Sequence, residues 1–306
     1  MRHHPAVAAT RRAVGEAIAD LPDGATVFAA VSGGADSLAL AAALAHEGPK
    51  AGLRAGAATV DHGLQTGSAD RAAEVAQTSA RLGLDPVEVL TVTVGKRGGP
   101  EAAARDARYA ALRELGAPVL LGHTLDDQAE TVLLGLTRGS GPRSLAGMRP
   151  VDGWRRRPFL AIRRAQTVAA CEALGITTWD DPHNSDQRFL RTKVRHEALP
   201  ALEKALGPDV AEALARTAGL ARTDADLLDE LAAKAATLDL AELAALPDAI
   251  CSRVLRTAAI DAGAPAGALT AAHVANLVAL VRGGPQTVSL PGGLVAERRC
   301  GRLSLR

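Results

Sequence analysis

The segment Ser32-Gly33-Gly34-Ala35-Asp36-Ser37 packs two glycines, two hydroxyls and a carboxylate into one short turn, a set suited to holding phosphate. Glycines let the chain turn sharply and bring backbone N–H groups close to phosphate oxygens. Ser32 and Ser37 add hydroxyl donors, and a helix starting here adds the partial positive charge of its N-terminus. Asp36 stands where it can reach Mg2+, which takes one or two carboxylates together with phosphate oxygens and water. The chemistry this points to is that of ATP. Gly-Lys-Ser/Thr is absent, so no Walker lysine reaches the terminal phosphates. The plainer alternative is a glycine-rich turn in which Asp36 and Ser37 merely favour a first helical turn.

Three further groups of residues carry potential chemistry. Gly122-His123-Thr124-Leu125-Asp126-Asp127-Gln128-Ala129-Glu130-Thr131 gathers a histidine and three carboxylates, which suits a metal or an amine-bearing substrate. Capping alone accounts for Thr124 and Asp127, whose spacing is that of a capping box. Pro100 and Glu101 open a good helix, in which Glu101 and Arg105 stand four apart and can pair. The stretch from Arg138 to Arg195 is rich in arginine, including Arg143, Arg155, Arg156, Arg157, Arg163, Arg164 and Arg191, with Lys193 and fewer acids. It suits a phosphate backbone, or else a solvated basic face.

These residues need elements to position them. Strand-length apolar runs at Thr26–Val31, Ala55–Val60, Val87–Val94 and Val119–Gly122 alternate with helical periodicity at 38–46, 68–83, 100–115 and 125–137. Such alternation predicts an α/β fold with a parallel sheet, which binds ligands beyond the carboxyl ends of its strands. The first strand then delivers Ser32-Gly33-Gly34, the second Asp61-His62-Gly63 and the fourth Gly122-His123, all to one edge. From Arg138 to Pro158 glycine, proline and arginine predict loop. Arg164–Leu174 is expected to be helical, as is Phe189–Leu206 with an interruption at Pro200. Beyond Gly207 alanine- and leucine-rich helices precede a small hairpin around Pro291-Gly292-Gly293. The expected division is a catalytic domain over 1–206, basic from about 138, and a mainly helical domain over 207–306.

The composition narrows the class. A chain of 306 residues favours two domains, and its net charge of +1 requires any nucleic-acid surface to be a local patch. Cys171, Cys251 and Cys300 are isolated, which argues against a structural zinc, an iron–sulfur cluster or a disulfide framework. No apolar run approaches the roughly 20 residues of a membrane span. Arg2, Arg11 and Arg12 are followed by Glu16 and Asp20, so the N-terminus is expected to be a folded helix of a cytoplasmic protein rather than a targeting peptide.

The turn at 32–37 resembles the PP-loop of the N-type ATP pyrophosphatases, which cleave between the α and β phosphates. Within that group the chain resembles the bacterial tRNA(Ile)-lysidine synthetases. The resemblance rests on Val60-Asp61-His62-Gly63-Leu64, the helix from Glu101 to Tyr109, Gly122-His123 through Glu130-Thr131, Arg138-Gly139-Ser140-Gly141, and Asp181-Pro182-x-Asn184-x-Asp186 leading to Phe189-x-Arg191. These follow the family's order and span about Val27 to Leu202.

What the resemblance implies is a Rossmann-like domain that uses ATP and Mg2+ to modify the wobble cytidine of isoleucine tRNA bearing a CAU anticodon. The cytidine O2 attacks the α-phosphate, pyrophosphate leaves, and the ε-amine of free lysine displaces AMP from C2. By motif position Ser32, Gly33, Gly34, Ala35, Asp36, Ser37, Asp61, His62, Gly122 and His123 are expected at ATP. Asp126, Asp127, Glu130 and Glu101 are expected at lysine, and Asp36 and Asp127 at the metal. Asp36, Arg105, Asp127 and Arg195 are expected to be catalytic, and Arg138, Arg143, Arg191, Lys193 and Arg195 to contact tRNA. A homodimer stays open. The rival readings are another PP-loop ligase, acting on tRNA or activating a carboxylate, and a silent nucleotide- or RNA-binding module. A thiolase would carry paired cysteines, and a silent module would not need Asp126, Asp127 and Glu130.

Overall fold

The computed structural model describes residues 4–63, 67–95, 100–139, 141–179 and 190–306, and for 100–102 the backbone alone. Helix α1 (Pro5–Ile18) buries Val7, Val14 and Ile18 along one stripe and leads towards β1 (Thr26–Ala30). Then follow α2 (Ala35–Glu47), β2 (Arg54–Asp61), α3 (Ser68–Arg81), β3 (Val87–Thr91), α4 (Pro100–Glu114), β4 (Val119–Leu120) and α5 (Leu125–Thr137). This is the predicted alternation, with boundaries shifted by a few residues.

The sheet order is β3-β2-β1-β4, with each of these pairs parallel and in register through Ala29↔Ala57, Ala29↔Leu120 and Val60↔Leu90. Strand β1 lies between β2 and β4, so the connections reverse direction there. A crevice opens at the carboxyl ends of such a pair. Leu40, Leu44, Phe159, Ala170 and Cys171 are buried in the core on one face, and Phe28, Leu112, Val119 and Leu121 on the other.

The stretch expected to be loop corrects that expectation. It holds a short α6 (Pro142–Leu145) and two further strands, β5 (Val151–Asp152) and β6 (Arg155–Arg156), with β6 parallel to β4 and antiparallel to β5. The side chains of β6 hide it from a reading by hydropathy. Arg156 is buried, and its terminal guanidinium nitrogens bond the Asp20 carboxylate and, at 2.6 Å, the Ala17 carbonyl, so a polar dipeptide completes a strand.

Helix α7 (Arg164–Ala173) packs on α1 and α2. Next come α8 (Leu190–Lys193), a π-helical stretch Val194–Ala198, and α9 (Leu199–Leu206). The widened turn lies just before Pro200, which has no N–H to offer the carbonyl four residues back and whose ring crowds it.

Two compact units emerge: Met1–Thr131 with Met148–Ala215, and Val132–Gly147 with Arg216–Arg306. The remaining elements are α10 (Val210–Lys234), α11 (Leu240–Ala245), α12 (Asp248–Asp261), α13 (Ala271–Val281), β7 (Thr287–Ser289), β8 (Val295–Arg299) and β9 (Arg302–Leu305). In the second unit Leu243, Cys251, Leu255, Leu277, Leu280 and Ala296 form the core. The expected hairpin is β7–β8, and β9 adds a third antiparallel strand through the turn at Cys300 and Gly301, both at positive φ. Among the described residues no helix is long and apolar enough to cross a membrane.

Candidate active site

The chain leaves β1 at Val31, whose N–H still donates to Ala58 at 2.8 Å, and turns into α2 within four residues. Ser37 closes this turn. Its hydroxyl donates to the Gly34 carbonyl at 2.9 Å and accepts the Ser32 N–H at 3.1 Å, with the Ser32 hydroxyl 3.3 Å away. Gly33 has φ +90°, and a Cβ there would lie 3.0 Å from Val75 Cγ2, so both conformation and space call for glycine. Its carbonyl accepts the Trp179 N–H at 3.0 Å. Gly122, after β4, lets the chain approach the first turn of α2, where a Cβ would come within 3.2 Å of the Asp36 carbonyl. The first N–H groups of α2 have no acceptor within the helix, and with the helix dipole they make this edge a site for anions.

Beside the turn stands a group of carboxylates and guanidinia. Thr124 and Asp127 form the capping box that their spacing suggests: Asp127 Oδ2 accepts the Thr124 N–H at 2.8 Å and hydroxyl at 2.9 Å. The other oxygen, Oδ1, accepts from Arg164 at 3.1 Å, Arg191 at 3.3 Å and Arg195 at 3.0 Å. One turn along α5, Glu130 has a side chain with no exposure and binds Arg191 Nε at 2.8 Å and Arg195 Nε at 2.6 Å. Burial alone would raise the Asp127 carboxyl. Arg164 and Arg191 outweigh it and hold the group well below the ordinary carboxylate range.

Arg164 also reaches the phosphate turn, where its Nε donates to Asp36 Oδ2 at 3.0 Å, while the Thr167 hydroxyl donates to Asp36 Oδ1. Burial pushes the Asp36 carboxyl up, and Arg164 offsets only part of that. Asp126 points elsewhere. It accepts the Arg164 N–H at 2.7 Å and pairs with Arg163 at 3.0 Å, which also binds Glu203 and Glu212.

The histidines at this edge are both depressed. Burial outweighs the pull of Asp127 and takes His123 down to about 3, so it is neutral at physiological pH. Burial, followed by the Arg108 charge, also lowers His62. The Nδ1 atoms of both are buried with no hydrogen-bond partner among the described residues. Asp61 accepts the Gly63 N–H at 3.0 Å, which with Ser68 keeps its carboxyl low. Arg105 is exposed, with its guanidinium 5.4 Å from the centre of the Tyr109 ring; Arg108 and Arg155 each lie 5.3 Å from the same ring.

The structure therefore brings together Ser32, Gly33, Gly34, Asp36, Ser37, Gly122, Asp127 and Glu130 with Arg191 and Arg195. These last two, expected at tRNA, are held inward by carboxylates. Lys193 and Arg138 are exposed, and Arg143 pairs with Asp226 at 2.6 Å. The Glu101 side chain, Leu64, Ser140, and the Asp181, Pro182, Asn184, Asp186 and Phe189 motif lie outside the described residues. Arg164, Thr167 and Trp179 belong to the site although sequence reasoning misses their roles there. Arg164 is hidden as one more arginine in a basic stretch.

A family model described as a PP-loop domain matches residues 8–202, and one described as a TilS substrate binding domain matches residues 238–304. The chain is 52% identical to a tRNA(Ile)-lysidine synthase of Streptomyces coelicolor, covering 100% of this chain and 99% of the relative. It is 54% identical to that of Thermobifida fusca, covering 98% and 97%. A solved U34-tRNA thiolase of Methanococcus maripaludis with a [4Fe-4S] cluster matches with a TM-score of 0.56 and 19% identity over 70% of this chain and 78% of that one, a likeness of fold alone.

Proposed function

The chain belongs to the tRNA(Ile)-lysidine synthase family, and on that premise we propose that it joins lysine to C2 of the wobble cytidine of a CAU-anticodon isoleucine tRNA in two steps, the first of which consumes ATP. The observation that carries this reading is the meeting of phosphate turn and acidic cluster on one guanidinium, since Arg164 touches both Asp36 and Asp127. Cytidine O2 attacks the α-phosphorus of ATP and pyrophosphate leaves, which turns a poor leaving group into AMP. The lysine ε-amine then attacks C2 and AMP departs.

The turn at 32–37 and the N–H groups of α2 hold the phosphates in line. Mg2+, when bound, neutralises phosphate charge. Asp36, whose oxygens are held by Arg164 and Thr167, is the carboxylate at the phosphate turn that would serve it, while Asp127 is held by Thr124 and three arginines. Among the described residues no group of three or more His, Cys, Asp or Glu is placed to hold a metal ion, so phosphate oxygens complete such a site. Asp127 and Glu130 hold the amino acid's ammonium electrostatically. Arg105, beside Tyr109, orients the RNA substrate, and exposed Lys193 and Arg138 suit phosphate backbone in the cytoplasm.

Labelled lysine tests this. Label is expected in tRNA only with ATP, only when the wobble base is cytidine, and in an alkali-stable bond. An alkali-labile terminal ester, or label in tRNA with another wobble base, would overturn the reading.

A further inference from the structure

Asp36, Asp127 and Glu130 face Arg164, Arg191 and Arg195 in ion pairs of 2.6 to 3.3 Å. Three carboxylates against three guanidinia leave the cluster without net charge. Around it His123 is neutral, Asp126 is taken by Arg163, and Arg157 and Arg108 add positive charge on the His123 side. An ammonium approaching Asp127 Oδ1 meets three guanidinia already bonded to that one oxygen.

The three arginines are not equivalent. Arg191 and Arg195 bond within the Asp127–Glu130 pair, whereas Arg164 spans from Asp127 to Asp36 at the phosphate turn. A triphosphate at that turn brings several negative charges and competes for the Arg164 fork, because guanidinium binds phosphate bidentately. Given the proposed reaction, we propose that Arg164 is a positioning residue that makes lysine binding depend on bound nucleotide: drawn towards the phosphates, it unloads Asp127, which then holds the ammonium of lysine. The coupling runs both ways, since linkage makes it reciprocal. Arg191 and Arg195 stay behind to fix the two carboxylates. The order of binding follows, with nucleotide before amino acid.

The test is calorimetric titration of L-lysine into the full chain, with and without saturating α,β-methylene ATP and Mg2+, which cannot be cleaved between the α and β phosphates. The parent is expected to bind lysine at least about fivefold more tightly with nucleotide. In Arg164→Gln and Arg164→Lys the ratio is expected to fall to about one, since a single lysine nitrogen cannot span Asp36 and Asp127 as the fork does. Comparing each protein with itself cancels any general weakening. If Arg164→Gln does not fold, Arg164→Lys carries the test. Equal coupling in parent and variants overturns the inference alone, as does a parent that binds both ligands independently. Variants that lose lysine binding altogether would make Arg164 a direct ligand group and also overturn it. A parent that binds neither lysine nor nucleotide overturns the functional reading beneath it.

Discussion

At Asp127, one carboxylate serves a helix cap on one oxygen and three guanidinia on the other, and that crowding decides its chemistry. Held far below its ordinary value, it stays ionised at neutral pH and is a poor proton acceptor. His123, drawn down to about 3 by burial, is neutral there and is no better a base. The sign is the same for both groups: each depressed value lies below the working range, so neither changes charge between pH 6 and 8.5. A lysine amine with an ordinary value near 10.4 must still shed a proton to attack, so kcat/KM for lysine is expected to rise about tenfold per pH unit across that window. Stopped assays with preformed adenylated tRNA measure it. An inflection near pH 6.5 would instead place a titrating histidine in the step. Asp127 and Glu130 are legible in sequence because two acids at a strand-to-helix junction exceed what capping needs. Arg164 is not, because nothing in a run of arginines distinguishes one that bridges two carboxylates from one that meets solvent.

Among the elements, the turn between β1 and α2 is the most sharply specified. Gly33→Ala must place a side chain at φ +90° and 3.0 Å from Val75 Cγ2, and the expected loss is about 1–3 kcal/mol of stability. Because Trp179 docks on the Gly33 carbonyl, ATP affinity should fall at least in proportion. Chemical denaturation paired with nucleotide binding reads both, and a variant unchanged in both would remove the turn from the account. The first four strands are legible because their apolar runs alternate with helical spacing. Strands β5 and β6 escape notice because their pairing is satisfied by backbone and by the Arg156–Asp20 contact rather than by apolar side chains. The π-helical stretch before Pro200 is half legible. The proline marks an interruption, but only the fold shows that the widened turn carries Arg195 to Glu130.

For the whole molecule, the net charge of +1 conceals an uneven distribution: Arg164, Arg191 and Arg195 turn inward to carboxylates, and Arg298, Arg299 and Arg302 lie in the terminal sheet. Length and composition suggest a division at 206 and 207, whereas the compact units group Val132–Gly147 with Arg216–Arg306, a pairing of distant segments that composition does not display. That β9 completes the terminal sheet is not legible either, since Arg299 and Arg302 lie opposite one another across a turn that sequence alone leaves unpaired. Activation of the RNA base by ATP, rather than of the amino acid, needs tRNA and both small substrates on one protein. Incubation with ATP labelled at the α-phosphate and CAU-anticodon isoleucine tRNA, without lysine, tests it most directly. Label is expected on the RNA and is expected to leave as AMP when lysine is added. Label on lysine in the absence of tRNA would contradict activation of the base.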